Sequence, residues 1–346
     1  MTPLFWGQAI IAEVYALFLA LLAFFVWTVT SRRPPWLVGL ALGLAISGHL
    51  SALLLIPLAL WRVGRTNLVR FGFGVLLGLI PFLFLPWLAS SNSPVMWGNP
   101  HSHSGWWWLV TARLYQPNIL ALPLNQWPSR FGDWLGPGVL IPLFAWLGLA
   151  LAGARYAWRK HNSLPVALLL VALAYTVYAF TYRTDDAVVL LLPAFLLAVS
   201  AAGPWLVNKK PSAIWALPLV MLLLATAAAR DNQGLDIRTV AEAGLRQIPQ
   251  RAIVLTPGDP SIAALWYFHH VEGMREDLVF VDENMFQFDW YRTRLSQDNP
   301  ELAVPVIDDL NSFIKNNNSE RAICRISLAD FDATACTAAR KEAPRG

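Results

Sequence analysis

Few ionisable side chains sit inside the long apolar stretches of this chain, and they are where chemistry would have to occur. Glu13 stands in Phe5-Trp6-Gly7-Gln8-Ala9-Ile10-Ile11-Ala12-Glu13-Val14-Tyr15, about two turns into the first apolar stretch, beside Gln8 and Tyr15. A carboxylate at membrane depth is costly and is usually retained for a purpose. It could take a proton from an incoming hydroxyl or hold a divalent cation, or pair with a neighbouring helix for packing specificity. His49 lies in a polar break, Ser47-Gly48-His49-Leu50-Ser51, where it could meet a phosphate or a lipid-linked head group, or satisfy backbone groups at the break.

Two further clusters lie between apolar stretches. Tyr182-Arg183-Thr184-Asp185-Asp186 places a cation beside two carboxylates. Arg183 could clamp a phosphate and Asp185 could orient it or bind a cation; a solvated turn of mutually paired charges is the plainer account. The segment from Pro94 to Trp108 carries Trp97, Asn99, His101, His103 and three consecutive tryptophans, followed by Arg113 and Tyr115. Aromatic faces beside Asn, His and Arg suit a sugar or a phosphate, and Trp with Tyr equally suits a segment lying on a membrane surface. His101 and His103 have a spacing that could serve one metal, although no carboxylate is close in sequence.

The elements that must position these residues are mostly helices of membrane length. Of 346 residues, 56% are hydrophobic and only 14% charged, with 17 Trp, a composition that a water-soluble core cannot absorb. Apolar stretches run over Leu4 to Thr30, Trp36 to Trp61, Phe71 to Ala89, Trp134 to Trp158, Leu164 to Tyr182, Val188 to Val207 and Ala213 to Ala229. Most can cross a hydrocarbon core of roughly 30 Å. The first ends in Arg32 and Arg33 with no cleavage site, so it reads as a membrane helix and not a signal peptide.

Basic residues cluster in alternate connections: Arg32 and Arg33; Arg62, Arg65 and Arg70; Arg155, Arg159 and Lys160; Lys209 and Lys210. If every stretch spans, the first two clusters fall on opposite sides. Reading Trp36 to Trp61 as two half-helices that enter and return to one face puts every basic cluster in the cytoplasm. The N-terminus, the loop over 90–132, the Tyr182 to Asp186 turn and the tail then lie outside. Seven plain spans with one violation of the charge rule is the competing topology. The net charge of +4 follows from these clusters and does not indicate nucleic acid.

Residues 1–229 thus form a polytopic transmembrane helix bundle, and 230–346 a soluble extracytoplasmic domain. In that tail Ala252 to Thr256, Leu278 to Asp282 and Ala322 to Ile326 read as strands. Pro260 to Val271, Asp289 to Ser296 and Ile307 to Lys315 read as helices, an alternation that predicts a small α/β layer with a mainly parallel sheet. Thr256-Pro257-Gly258-Asp259-Pro260 follows a strand and opens a helix, with Asp259 and Pro260 reading as cap and first turn. Cys324 and Cys336 fit no zinc pattern; a disulfide and two free thiols both remain open. No Ser/His/Asp order, HExxH, P-loop or dinucleotide fingerprint occurs.

Several stretches together resemble the protein O-mannosyltransferase-like multi-pass membrane proteins of the GT-C superfamily of polyprenyl-phosphate-sugar glycosyltransferases. They are FWGQAIIAEVYAL from Phe5, GLALGLAISGHLSALLLIP from Gly39, LIPFLFLPWLASSNSPVMWGNP from Leu79, YRTDDAVVLLLP from Tyr182 and AIVLTPGDPSIAALWYFHHVEGMREDLVFVD from Ala252. The resemblance implies a mainly α, GT-C-like bundle with a small α/β tail, in a bacterial-type inner or plasma membrane. It implies transfer of a sugar from a polyprenyl-phosphate donor to a protein or glycan acceptor on the outer face. In that family an acidic residue of the first outer loop serves as base or metal ligand and Glu13 would be the later acidic position; within this chain Glu13 and Asp185 are the candidate catalytic carboxylates, with a divalent cation as the one candidate cofactor. Gln8, Tyr15, His49, Trp97, Asn99, His101, Arg113, Tyr115, Tyr182 and Arg183 would line the substrate site. The resemblance also implies that the family's earlier helices and first acidic loop have no counterpart in this chain, as in a truncated form. Beside His49, where the family commonly has a second His or polar residue, this chain has Leu50. The alternative from another class is a non-catalytic membrane scaffold or a transporter-like protein with a partner-binding tail, since broken helices also mark transport sites.

Overall fold

A computed structural model describes residues 14–90, 94–135, 137–184, 186–207, 237–326 and 336–337. The chain divides into two compact units, one of residues 1–88 with 106–231 and one of 89–105 with 232–346.

The first unit is helical: α1 (Val14–Thr30), α2 (Pro35–Gly48), α3 (Ile56–Val63), α4 (Leu68–Gly78), α5 (Leu85–Ala89), α6 (His103–Val110, entering from the second unit), α7 (Trp127–Trp134), α8 (Pro137–Lys160), α9 (Ser163–Thr181) and α10 (Leu192–Val207). Three continuous helical stretches among the described residues are long and apolar enough to cross a bilayer: Arg65–Ala89, Ser163–Thr181 and Ala187–Trp205. Val69, Phe73, Leu76, Leu83 and Trp87 on the first of these are exposed, an apolar face of a size that water disfavours and lipid accepts. Of the other expected stretches, Ala213 to Ala229 and the part of the first before Val14 lie outside the described residues.

The stretch from Trp36 to Trp61 is broken at its polar middle. Helix α2 begins with Pro35 at a position where a missing N–H costs nothing, and it ends at Gly48. His49 is extended, a 3₁₀ segment covers Leu50–Leu55, and α3 follows. Fourteen helical residues rise only about 21 Å, short of a full crossing.

Glycines determine how the halves run. A Cβ at Gly74 would strike the Trp36 carbonyl and one at Gly78 the Leu40 carbonyl; Gly39 and Gly43 lie against Phe71 and Val75 in the same way. Residue numbers rise together across the seam, so α2 and α4 are parallel and the chain between them must run back. It does so: Arg62 Nε donates to the Val29 carbonyl at 2.9 Å, which sets the second basic cluster beside the end of α1 that leads into Arg32. Ser47 Oγ also reaches the Gly78 carbonyl at 2.9 Å.

The second unit contains α11 (Ile237–Gln247), β1 (Ile253–Thr256), α12 (Asp259–Trp266, continued by a π turn to Val271), β2 (Val279–Asp282), α13 (Asp289–Asp298), α14 (Leu310–Asn317), β3 (Ile323–Arg325) and β4 (Cys336–Thr337). Among the described residues the sheet order is β2-β1-β3-β4, parallel except for the β3–β4 pair. Both β1 and β2 are buried along their whole length, as parallel strands covered on two faces must be. Val254, Phe280 and Cys324 point into a core shared with α11 and α12. Ile253, Leu255, Val281 and Ile323 point into the other, shared with α13 and α14. The three strands and three helices read from sequence fall within three residues of their observed ranges, α11 and β4 are not among those read, and Gly258, not Asp259, is the residue before α12. Gly258 has φ +132°, a conformation that favours glycine.

Two devices tie this unit together. Arg275 donates to the carbonyls of Leu245, Ile248 and Pro249 at the end of α11 and pairs with Asp277 at 2.8 Å, so a guanidinium caps the orphan acceptors of a helix C-terminus. Cys324 and Cys336 form a disulfide across β3 and β4, resolving the alternative left open by their spacing.

The glycine seam yields a sign test. Gly78→Ala forces apart two backbones and should destabilise by about 1–3 kcal/mol. Gly72→Ala on the same helix meets open space and should stabilise by up to about 1 kcal/mol through helix propensity. Thermal unfolding of the solubilised protein, followed by tryptophan fluorescence, checks both.

Candidate functional site

The end of the bundle away from Arg32 and Arg62 is where polar and aromatic groups converge. At the tip of the α2–α3 hairpin, His49 Nδ1 lies 2.8 Å from Ser51 Oγ and accepts the Ser51 N–H at 3.2 Å. The rings of Phe18 and Tyr15 pack on the imidazole at 5.1 and 5.7 Å between centroids. Tyr175, fully buried on α9, donates its hydroxyl to the Ser51 carbonyl at 2.8 Å, closing the backbone group that the break would otherwise expose.

One turn further along α9, the ring of Tyr178 packs at a tilt against Tyr182 at 5.3 Å, and the Tyr182-Arg183-Thr184 turn begins. The segment after α6 fastens this turn. The Leu122 N–H donates to the Thr181 carbonyl and the Arg183 N–H to the Asn118 carbonyl, both at 3.0 Å. Tyr182 OH donates to the Tyr115 carbonyl at 3.3 Å. Arg130 on α7, buried to 9% exposure, donates Nη2 to the Thr184 carbonyl at 2.8 Å. Around it Trp127, Phe131 and Trp134 surround the ring of Phe180 at 4.7–5.3 Å. Thr184 Oγ1 donates to Asp186 at 2.6 Å.

Of the residues singled out from sequence, Tyr15 and His49 thus meet at the hairpin tip, and Tyr115, Tyr182 and Arg183 meet at the turn. Arg113 is exposed in the segment between α6 and α7. Gln8, Glu13 and Asp185 lie outside the described residues. Trp97, Asn99 and His101 belong to the second unit: Trp97 packs in its core and stands 6.2 Å from Trp290. Asn99, with φ +46°, lies in a turn whose carbonyl accepts from Ser102. His101 and His103 are exposed, and among the described residues no three His, Cys, Asp or Glu side chains gather as metal ligands would. Arg130 is the member that sequence reading passed over. Its signal is a guanidinium in the register of three aromatic residues, Trp127, Phe131 and Trp134, on a short helix within a segment read as interfacial.

Chemically, the turn offers a planar cation buried next to the backbone of Thr184, an exposed Arg183, and hydroxyls on Tyr182 and Thr184. Guanidinium groups are suited to phosphate oxygens. Replacing Arg130 by Met leaves the Thr184 carbonyl without this donor and should cost about 1–3 kcal/mol, whereas Arg183→Met, at an exposed side chain, should leave the thermal midpoint of the solubilised protein nearly unchanged.

The second unit holds its own concavity of about 680 Å³, bordered by Pro94 to Met96, His269, His270, Asp277, Trp290 and Arg294 among others. Asp277 there is held down to about 2 by its bonds to Arg275 and the Arg251 N–H. Burial, with His269 adjacent, lowers His270.

Comparisons with known proteins bear on this second unit first. A family model described as TMEM260-associated domain 2 matches residues 237–333, which contain α11 through β3. Protein O-mannosyl-transferase TMEM260 of Mus musculus is 38% identical over 105 residues, covering 26% of this chain. The chain spans about 15% of that relative's length. No solved structure matches. These likenesses are to an O-mannosyltransferase-like family, and the apolar helices are those of a membrane protein.

Proposed function

We propose that this chain is part of, or acts as, a GT-C type membrane glycosyltransferase that moves a sugar from a polyprenyl-phosphate carrier to a hydroxyl acceptor on the extracytoplasmic face. The likeness to a protein O-mannosyl-transferase supplies the reaction class, with mannose and a protein acceptor as first candidates. The observation that carries the reading is the gathering of the paired basic residues at one end of the bundle, against single arginines beside carboxylates at the other. Arg62 is bonded beside the end of α1 that carries Arg32, and Asn162 and Ser163, just after the basic end of α8, border the same cleft as those two arginines. His49, Tyr182, Arg183 and Arg130 occupy the other end. The positive-inside rule then assigns the basic end to the cytosol and the polar, aromatic end to the outside. A disulfide in the tail agrees with an oxidising compartment.

In this mechanism the acceptor oxygen attacks the anomeric carbon of the sugar as the bond to the carrier phosphate breaks. Glu13 takes the acceptor proton, and the departing phosphate is met by Arg183 and Arg130, where fixed positive charge stabilises the developing anion. Asp185 orients Arg183 or holds a divalent cation against the phosphate; such an ion would supply Lewis-acid stabilisation of the leaving group.

The test uses membranes carrying the full chain and radiolabelled polyprenyl-phosphate mannose. Glu13→Gln and Asp185→Asn should each reduce transfer at least about 100-fold, the usual size of a general-base contribution, at unchanged expression. Transfer by Glu13→Gln at the unaltered rate removes Glu13 from the mechanism. In intact cells, the partly exposed Cys336 should react with a membrane-impermeant maleimide only after reduction; labelling that requires permeabilised membranes would place the tail in the cytosol and end the proposal.

A further inference from the structure

The basic end of the bundle contains a cleft that the proposed reaction does not use. It measures about 880 Å³ and opens between α1, α3, the start of α9 and the end of α10. Its walls include Val26, Leu168 and Leu196, and Arg32 and Arg62 border it together with Asn162 and Ser163. Trp27 and Trp61 flank it and are 43% and 50% exposed, the amphipathic residues expected where a helix meets the headgroup layer. Arg62 is held in place by its bond to the Val29 carbonyl, and Arg33 lies 4.3 Å over the ring of Trp27. Asn162 Oδ1 accepts the Leu164 N–H at 3.1 Å, ordering the start of α9, whose N–H groups add partial positive charge on the same side.

We infer that this cleft binds an anionic phospholipid, its phosphate between Arg32 and Arg62 and one acyl chain along Val26, Leu168 and Leu196. A free anion would find cations here but gain nothing from the apolar walls, and a zwitterionic lipid would set its own ammonium beside the two guanidinium groups. Basic pockets between membrane helices on the cytosolic side favour acidic headgroups for this reason. The inference rests on the proposed orientation only for the leaflet involved.

The full chain is purified and placed in nanodiscs of phosphatidylcholine with or without phosphatidylglycerol, and its thermal midpoint is measured. Binding to the folded state should raise the midpoint by a few degrees, about 2–4 °C per kcal/mol of linkage. Arg32→Gln with Arg62→Gln should lose most of that rise, and Arg32→Gln alone, which leaves the Val29 bond intact, should lose part of it. Arg155→Gln with Arg159→Gln removes the same charge from the same end outside the cleft and should keep the rise. Glycerol phosphate, which lacks acyl chains, should give none. Equal losses in the two double variants, an equal shift with glycerol phosphate, or no rise in the unaltered protein, as when another stretch of this chain fills the cleft, each overturns the inference. Both leaflets of a nanodisc carry the lipid, so a negative result leaves the orientation standing, while cytosolic maleimide labelling would sink the orientation and leave the binding.

Discussion

Close approach of two helix backbones governs the first unit. Gly39 and Gly43 on α2 meet Gly74 and Gly78 on α4 with no room for a Cβ, and small residues four apart are the pattern by which membrane helices reach this distance. Because the seam is parallel, Leu50 to Val63 must travel the opposite way. The polar break at His49 becomes the tip of a hairpin as a direct result, and the arginines after α3 come back to those after α1. The meeting of these two basic clusters at one end is therefore set by packing as much as by composition.

At the tip, several backbone groups freed by the break have partners. His49 accepts from Ser51, Tyr175 donates to the Ser51 carbonyl, and the His49 N–H still closes the last turn of α2 on Ala45. Non-helical backbone at membrane depth is tolerated on that condition. The same economy holds at the Tyr182 turn, where two backbone hydrogen bonds, the Tyr182 hydroxyl and one buried guanidinium fix a short connection.

Much of the tail was legible from residues alone. Runs such as Ala252 to Thr256 and Leu278 to Asp282 are too short for helices and apolar in every residue but the last, which for a strand means two covered faces. The hairpin break was legible because Ser47-Gly48-His49-Leu50-Ser51 interrupts apolar periodicity and because its return repairs the charge pattern. The glycine pairs at four-residue spacing were equally visible and went unread, since Gly in a long apolar run carries no sign of its partner helix. Arg130 was hidden by its neighbours: tryptophans in a loop read as interfacial, and burial of one guanidinium depends on the distant Thr184. The packing of Trp97 against Trp290 joins residues far apart in sequence, a relation that local pattern cannot carry. The pairing of Cys324 with Cys336 needed β4 to be placed beside β3.

The latch made by Arg275 has a mechanical consequence. The chain returns to the second unit through α11, so tension along the polypeptide from that side falls on this helix before any strand. Arg275 bonds its last turn to the lead-in of β2, and several hydrogen bonds loaded in parallel must yield together before the helix peels away. The disulfide secures the opposite margin of the sheet. A domain clamped at this helix and at the far border of its sheet resists peeling from either side.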